Sequence, residues 1–308
     1  MYNESVKKRY VIEKESTTYT PNDYLTRLFR KTEEHENNLE KDISSFTFYE
    51  IMDFYKTLNL SSVESIAVMN SHLGLYTDWC LKQNMVPDCQ NHFTELSTDA
   101  FLQCVNRMAL RKSIVPKETI YRWIDELINP SEAFIMIALF EGIKGKDFCE
   151  ITYLKMSDFD GNKVKLCTGR EIEVSDKLVE IAKIADVTME HYSVNKENSR
   201  VYTYLDEEYI MKSLCNSNPN PDDFARGRRV YRTLMRNFEY LGVKDWMKAS
   251  YIEESGKIEY IKTRSKELGI TPKEFLFSDY VEEVDYKYES DLRRLRSSYF
   301  KKYEEYLV

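Results

Sequence analysis

Arginines recur at four-residue intervals in the segment 226–236. Arg228, Arg232 and Arg236 would lie along one face of a helix, with Arg229 beside them, whereas Val230 and Leu234 would occupy another face. Residues 226–248 carry seven positive and two negative side chains, a net charge of +5. Because a row without acidic partners at i,i+4 is left uncompensated, and guanidinium groups suit phosphates and guanine edges, the pattern predicts a DNA contact.

The composition limits what this cationic segment can be part of. The 308 residues have a net charge of −8, so the chain outside residues 226–248 carries −13. This acidity argues against a protein that coats nucleic acid or anionic membranes through its bulk charge. No apolar run is long enough to span a bilayer and no signal peptide is apparent, so we expect a cytoplasmic protein.

Cysteine and histidine spacing predicts neither a metal site nor a cofactor. The six cysteines form no CxxC pair, and the four histidines are isolated from one another. In a cytoplasmic chain, the cysteines are expected to be reduced.

The elements that position these residues are predicted to be mainly helices. Nine glycines, seven prolines and long stretches of helical apolar spacing favour an α-rich chain. A basic stretch without this spacing, at 107–116, is typical of an interdomain linker. The residues from Gly161 to Asp176 alternate in polarity around Thr168-Gly169 and predict a short β-hairpin. Before the hairpin we expect helices at the following ranges: 20–36, 44–58, 61–83, 98–110, 117–127 and 131–140.

The run LFEGIKGKDFCEITYLKMSDFDGNKVKLCTGREIEVS, which begins at Leu139, resembles the core of tyrosine recombinases and phage integrases. In that family a TGLRxSE-like motif leads into an LxWxDID-like turn and then a hairpin that carries KTG. More narrowly, FEGIKGK, NHFTEL and ESGKIEYIK resemble the integrase-like master repressors that maintain lysogeny in SPβ-type Bacillus prophages.

The resemblance implies a mainly α, two-domain recombinase-like fold. It implies a flexible arm at 1–19, a helical SAM-like core-binding domain at 20–111, and an α-rich catalytic-like domain with a small hairpin at 112–308. Its expected partner is double-stranded DNA.

The family's catalytic positions are replaced when its motifs are aligned with this chain. Phosphoryl transfer needs positioned cations and an acid. The alignment places four other residues where the family has its first Arg, its hairpin Lys, its His and its second Arg: Asp147, Cys167, Ser250 and Glu253. Lys165 is the nearest amine to the hairpin position, and the nucleophile position falls at Tyr286 or Tyr288. The resemblance therefore implies a degenerate, inactive centre.

Further DNA contacts are expected from two places. Lys144 and Lys146 flank a glycine near the degenerate centre. Asn70 and His72 lie on the side of the 61–83 helix opposite its apolar face, and in the resembled family this helix faces the duplex. Each pair has an alternative interpretation as ordinary surface residues. The apolar stripe of the final segment, 291–307, can dock on its own domain or on a second copy.

With the arginine row, the resemblance implies a sequence-specific DNA-binding repressor that keeps a prophage silent and works at the nucleoid. An active site-specific recombinase, using Lys144 or Lys165 with Tyr286 or Tyr288, is the alternative. A structural or interaction protein without DNA affinity is a third possibility.

Overall fold

Helices with buried apolar faces form most of the chain, as its low glycine and proline content predicts. This computed structural model describes residues 1–15, 22–60, 62–107, 111, 114–193, 200–215 and 222–308. The chain divides into an N-terminal unit, Met1–Arg111, and a C-terminal unit, Lys112–Val308. Part of the predicted 107–116 linker lies outside the described residues. In the described part of the chain, no helix is long and apolar enough to cross a membrane.

The N-terminal unit is built from helices around an aromatic core. Thr47 and Glu50 form a capping box at the start of its third helix, and Ser62 caps the fourth through Ser65. Phe29, Tyr55 and Tyr76 are fully buried between the helices. The described helices are α1 (Glu4–Glu15), α2 (Asn22–Leu39), α3 (Phe48–Thr57), α4 (Val63–Lys82) and α5 (Thr98–Cys104).

Helix α1 corrects the prediction of a flexible arm at 1–19. Lys7 is completely buried and pairs with Glu36, whose carboxylate also accepts a hydrogen bond from Thr32 Oγ1 at 2.7 Å. Tyr10 packs against Tyr76 with 5.1 Å between the ring centroids. Because Tyr10 and the Lys7 pair anchor the helix, residues 4–15 belong to the folded unit; residues 16–19 lie outside the described residues.

The C-terminal unit surrounds one helix that is apolar on all sides. In α7 (Pro130–Phe140) every residue from Ala133 to Phe140 is buried, because α6 (Lys117–Glu126) and three later helices pack around it. The helices that follow it in the chain are α8 (Cys149–Thr152), α9 (Asp176–Val187), α10 (Asp223–Tyr240), α11 (Ala249–Leu268), α12 (Pro272–Phe277), α13 (Val281–Tyr288) and α14 (Leu292–Leu307).

Two small antiparallel sheets lie among the described residues of the C-terminal unit. The predicted hairpin is present: β1 (Phe159–Asp160), β2 (Lys163–Lys165) and β3 (Glu171–Glu173) pair in that order, with Val164 opposite Ile172. The sequence analysis missed the second sheet, β4 (Glu190–Ser193) with β5 (Arg200–Thr203). These strands are short and mostly exposed, so they show no regular polar and apolar alternation.

The final helix, α14, docks on its own unit. Its apolar stripe packs on α12 and α13, and five of its side chains are buried: Leu292, Tyr299, Phe300, Tyr303 and Leu307. These five residues are therefore covered by the chain's own unit, whereas Leu295 of the same helix is 44% exposed.

Candidate nucleic-acid interface

Helix α10 carries the arginine row and is fixed to the body of its unit by its opposite face. Asp222 caps the helix by accepting a hydrogen bond from Ala225 N at 2.7 Å, and Val230 and Leu234 are buried. Gly227 allows the helix backbone to pack closely against Asp147, because a Cβ atom at this position would lie 2.1 Å from the carbonyl oxygen of Asp147. This packing leaves Arg228, Arg232 and Arg236 on the exposed side, as the spacing predicts.

The arginines of α10 have different surroundings. Arg228 lies over the Phe224 ring at 5.2 Å, and Arg232 makes no ion pair with any residue of the described ranges. Arg236 Nη2 donates to Thr233 Oγ1 at 3.0 Å, and its guanidinium lies near His191 and Glu132. The uncompensated part of the row therefore consists of Arg228 and Arg232.

Arg229 is a correction to the predicted row. It is half-buried, and its Nη1 donates to Ser213 Oγ at 2.6 Å. Burial lowers the pKa of its guanidinium. Arg229 therefore turns toward the body of the unit. The four-residue spacing describes only Arg228, Arg232 and Arg236, so it does not predict the direction of Arg229, which follows Arg228 directly in the sequence.

Arg226, which the sequence analysis did not single out, holds the start of α10. Its guanidinium lies 5.6 Å from the ring centroids of both Tyr153 and Tyr209. Tyr153 also donates its hydroxyl hydrogen bond to Asp223, in the first turn. The first two turns of the helix are thus anchored by aromatic rings as well as by Gly227.

The loop that contains Lys144 and Lys146 lies against α10. Lys144 Nζ is 2.7 Å from Glu253 Oε2, so a residue predicted for DNA contact is already neutralised by an acid. Lys146 and Asp147 are exposed. Asp147 and Phe148 have φ values of 51° and 62°, two consecutive left-handed residues without glycine. The sequence gives no signal for this backbone.

A buried ion pair behind this loop is the main feature that the sequence analysis missed. Glu150 is fully buried, and Arg170 binds both of its carboxylate oxygens. Arg170 also donates to the carbonyl oxygens of Gly142, Tyr286 and Lys287, at 3.2, 2.9 and 2.7 Å. Arg170 thus joins the hairpin, the end of α7 and helix α13. Arg170 directly follows Thr168-Gly169 in the sequence. The sequence analysis considered only Cys167, the position before that pair.

The structure separates the two candidate nucleophiles. Tyr288 is 5% exposed, its hydroxyl donates to the carbonyl oxygen of Phe140 at 3.1 Å, and burial raises its pKa well above the usual value. Tyr288 is therefore wrong as a candidate nucleophile. Tyr286 is 53% exposed, and its hydroxyl accepts a hydrogen bond from Glu171 N at 3.0 Å.

The other positions that the motif alignment places at the family's catalytic residues have no cationic side chain. Desolvation and the neighbouring Cys149 thiol raise the pKa of Cys167 to about 12, so this side chain is neutral at physiological pH. Ser250 is exposed in the first turn of α11, and Glu253 is engaged by Lys144. Lys165, the alternative amine, is exposed on β2.

Asn70 and His72 do not lie on a solvated face, contrary to the prediction. Asn70 accepts a hydrogen bond from the Tyr55 hydroxyl at 3.2 Å and donates to Phe93 O at 2.9 Å. His72 packs 4.9 Å from the Tyr24 ring, and burial lowers its pKa. Both residues thus serve the packing of the N-terminal unit, and its exposed cations on α2 are Arg27, Arg30 and Lys31.

His191, which is 5% exposed, makes the C-terminal unit sensitive to acid. Its Nδ1 lies 3.1 Å from the Tyr204 hydroxyl, and burial, with a contribution from Arg236, lowers its pKa. Because the pKa of His191 is lower in the folded chain than in the unfolded chain, the unfolded chain binds more protons as the pH falls through about 6.5, and we expect stability to fall with the pH there.

We expect His191→Gln to flatten this dependence by up to about 1.4 kcal/mol for each pH unit below 6.5. The measurement is urea unfolding at pH 7.5 and pH 5.5, followed by Trp123 and Trp246 in a Trp79→Phe background. An unchanged pH dependence in the His191→Gln variant would contradict the assignment.

The comparisons with known proteins agree along the chain. Residues 114–296 match the family described as "MrpR, C-terminal catalytic domain", and residues 1–82 match "MrpR, N-terminal core-binding domain". The SPbeta prophage-derived uncharacterized protein YopR of Bacillus subtilis (strain 168) is 20% identical over 282 residues, which are 88% of this chain and 84% of that protein.

A solved structure, the lambda integrase(75-356) dimer bound to a COC′ core site, is similar at 15% identity with a TM-score of 0.42. That similarity covers 92% of this chain and 94% of the integrase chain.

Proposed function

Because this chain belongs to the MrpR family and has its tyrosine-recombinase-like core-binding and catalytic domains, we propose that it binds specific duplex DNA sites without cutting them. As a repressor, it occupies operators in a phage genome within the host nucleoid and keeps the prophage silent. The similarity to a prophage-derived protein supports this setting.

The observation that carries the proposal is the neutralisation of cations at the degenerate centre. Lys144 is paired with Glu253, and the guanidinium of Arg170 is used by Glu150 and by three carbonyl oxygens. The exposed Asp147 adds a negative charge where the family's pattern has an arginine. A scissile phosphate needs uncompensated cations that stabilise its transition-state charge, and this arrangement offers it acids instead.

The DNA-binding part of the proposal rests on α10. Arg228 and Arg232 project from a helix that is fixed on its other face, and Lys146 and Lys165 are exposed in the same unit. Cations on a rigid element bind phosphates at little conformational cost, and the acidic remainder of the protein disfavours binding elsewhere.

An active recombinase is the second candidate, and the exposure of Tyr286 favours it. A tyrosine hydroxyl that reaches solvent at the expected position has the access that a nucleophile needs.

A covalent-trapping experiment separates the two candidates. We expect no protein–DNA adduct when the purified protein is incubated with a nicked suicide substrate built on its bound site, because the centre lacks the cations for transesterification. Denaturing gel electrophoresis with end-labelled DNA is the measurement. An adduct that Tyr286→Phe abolishes and Tyr280→Phe leaves intact would establish the recombinase.

The binding itself is tested by mapping the phage genome fragments that the protein retains at several salt concentrations. The proposed repressor retains a few fragments in a salt-sensitive manner. Absence of salt-sensitive retention of any fragment would favour an interaction protein without DNA affinity.

A further inference from the structure

The exposed face of α10 combines aromatic residues with arginines. Phe224 is 59% exposed and Tyr231 is 49% exposed, and both flank the uncompensated Arg228 and Arg232. Phe224 and Arg228 are one helical turn apart and stacked, with 5.2 Å from the guanidinium carbon to the ring centroid. A helix that only touches phosphates needs its arginines but has no use for an exposed phenylalanine.

The stacked pair lies on the best-anchored part of the helix. Asp222 caps it, Tyr153 binds Asp223, Arg226 is held between two tyrosine rings, and Gly227 is fixed against Asp147. These contacts lie on other sides of the helix from Phe224 and Arg228. The pair therefore projects from a rigid backbone, and the ring limits the rotamers of the arginine before any ligand binds.

From this geometry we infer that Phe224 and Arg228 read base edges in the major groove, while Arg232 contacts a phosphate. This inference rests on the proposed function and names the residues that set its sequence preference. An α-helix fits the major groove, arginine binds guanine O6 and N7 in a bidentate manner, and an aromatic edge packs on the thymine methyl group. Side chains one turn apart reach neighbouring base pairs, so the pair selects a thymine beside a guanine.

Base analogues test each contact separately. The wild-type protein first selects duplexes from a random-sequence library, and the enriched duplex is then made with deoxyuridine for thymine or 7-deazaguanine for guanine, one position at a time. Deoxyuridine removes the methyl group, and 7-deazaguanine removes the N7 acceptor. We expect wild-type affinity to fall about fourfold at one thymine and about tenfold at one guanine.

Matched variants assign these losses to residues. Phe224→Ala loses the deoxyuridine penalty and Phe224→Leu retains it. Arg228→Ala loses the 7-deazaguanine penalty, because alanine has no donor for guanine N7. Arg232→Ala keeps both penalties but binds every duplex more weakly, with a flatter salt dependence. Far-UV circular dichroism checks that each variant is folded.

The outcomes distinguish this inference from the proposed function. Analogue penalties that are unchanged in Phe224→Ala and Arg228→Ala overturn the base-reading role and leave DNA binding intact. Enrichment without any thymine or guanine penalty does the same. A library that the wild-type protein does not enrich overturns the proposed function, and this inference with it.

Discussion

Arg170→Met is expected to lower the free energy of unfolding of the C-terminal unit by about 3–5 kcal/mol. The substitution keeps much of the side-chain volume but removes the cation from the fully buried Glu150. It also leaves the carbonyl oxygens of Gly142, Tyr286 and Lys287 without this donor. An unpaired carboxylate in the interior costs more than the pair contributed, because its desolvation is then uncompensated.

Urea unfolding measured by Trp123 and Trp246 fluorescence, in a Trp79→Phe background, reports this unit. Arg293→Met is the matched control, since Arg293 and Glu282 form a pair in which both side chains are more than half exposed. Its loss should be below about 1 kcal/mol. Combining Glu150→Gln with Arg170→Met should recover part of the stability. A loss for Arg170→Met no larger than that of Arg293→Met would contradict the role given to the buried pair.

The triple variant of Arg228, Arg232 and Arg236 to Ala is expected to bind the selected duplex about 100-fold more weakly, or about 2.7 kcal/mol. Arg228 and Arg232 account for this loss. Arg236 adds little, because its guanidinium bonds to Thr233 and lies near Glu132. Arg236→Ala alone should therefore bind nearly as well as the wild type.

Salt dependence tests this division among the three arginines. Each phosphate contact contributes a slope of about −0.9 in log K against log salt. If Arg232 alone contacts a phosphate, the triple variant has a slope less steep by about 0.9; a uniform phosphate-binding row would change it by about 2.7. The variant Arg293→Ala, Arg294→Ala and Arg296→Ala removes the same charge from α14 and should leave affinity and slope nearly unchanged. Equal losses in the two triple variants would remove α10 from the interface.

The sequence predicts best where one periodicity decides the structure. The four-residue spacing of Arg228, Arg232 and Arg236 against Val230 and Leu234 places the row correctly on α10. The hairpin and the recombinase-like fold are confirmed. Polar and apolar residues alternate around Thr168-Gly169, and the family's motif before the hairpin is still recognisable although the sequence identity to relatives is low.

Periodicity does not predict polar pairs whose residues are far apart in the sequence. Glu150 and Arg170 are 20 residues apart, and Lys7 and Glu36 are 29 residues apart, so nothing local marks them as partners. Lys7 in a Lys7-Lys8-Arg9 run suggests a solvated arm, but only Lys8 and Arg9 are exposed. Asn70 misleads for a related reason, because its hydrogen bonds go to Tyr55 and Phe93 on other elements.

The left-handed backbone at Asp147 and Phe148 limits what substitutions in this loop can achieve. Both residues have a left-handed backbone conformation that residues other than glycine rarely adopt. The contact between the carbonyl group of Asp147 and Gly227 holds this backbone in place. Arginines introduced at 147 and 253 would inherit that backbone and would lose the pair between Lys144 and Glu253. If the chain binds DNA without cutting it, as proposed, laboratory evolution toward strand cleavage would therefore have to change the loop and the start of α10 together, and we expect single substitutions along such a route to bring no gain in activity.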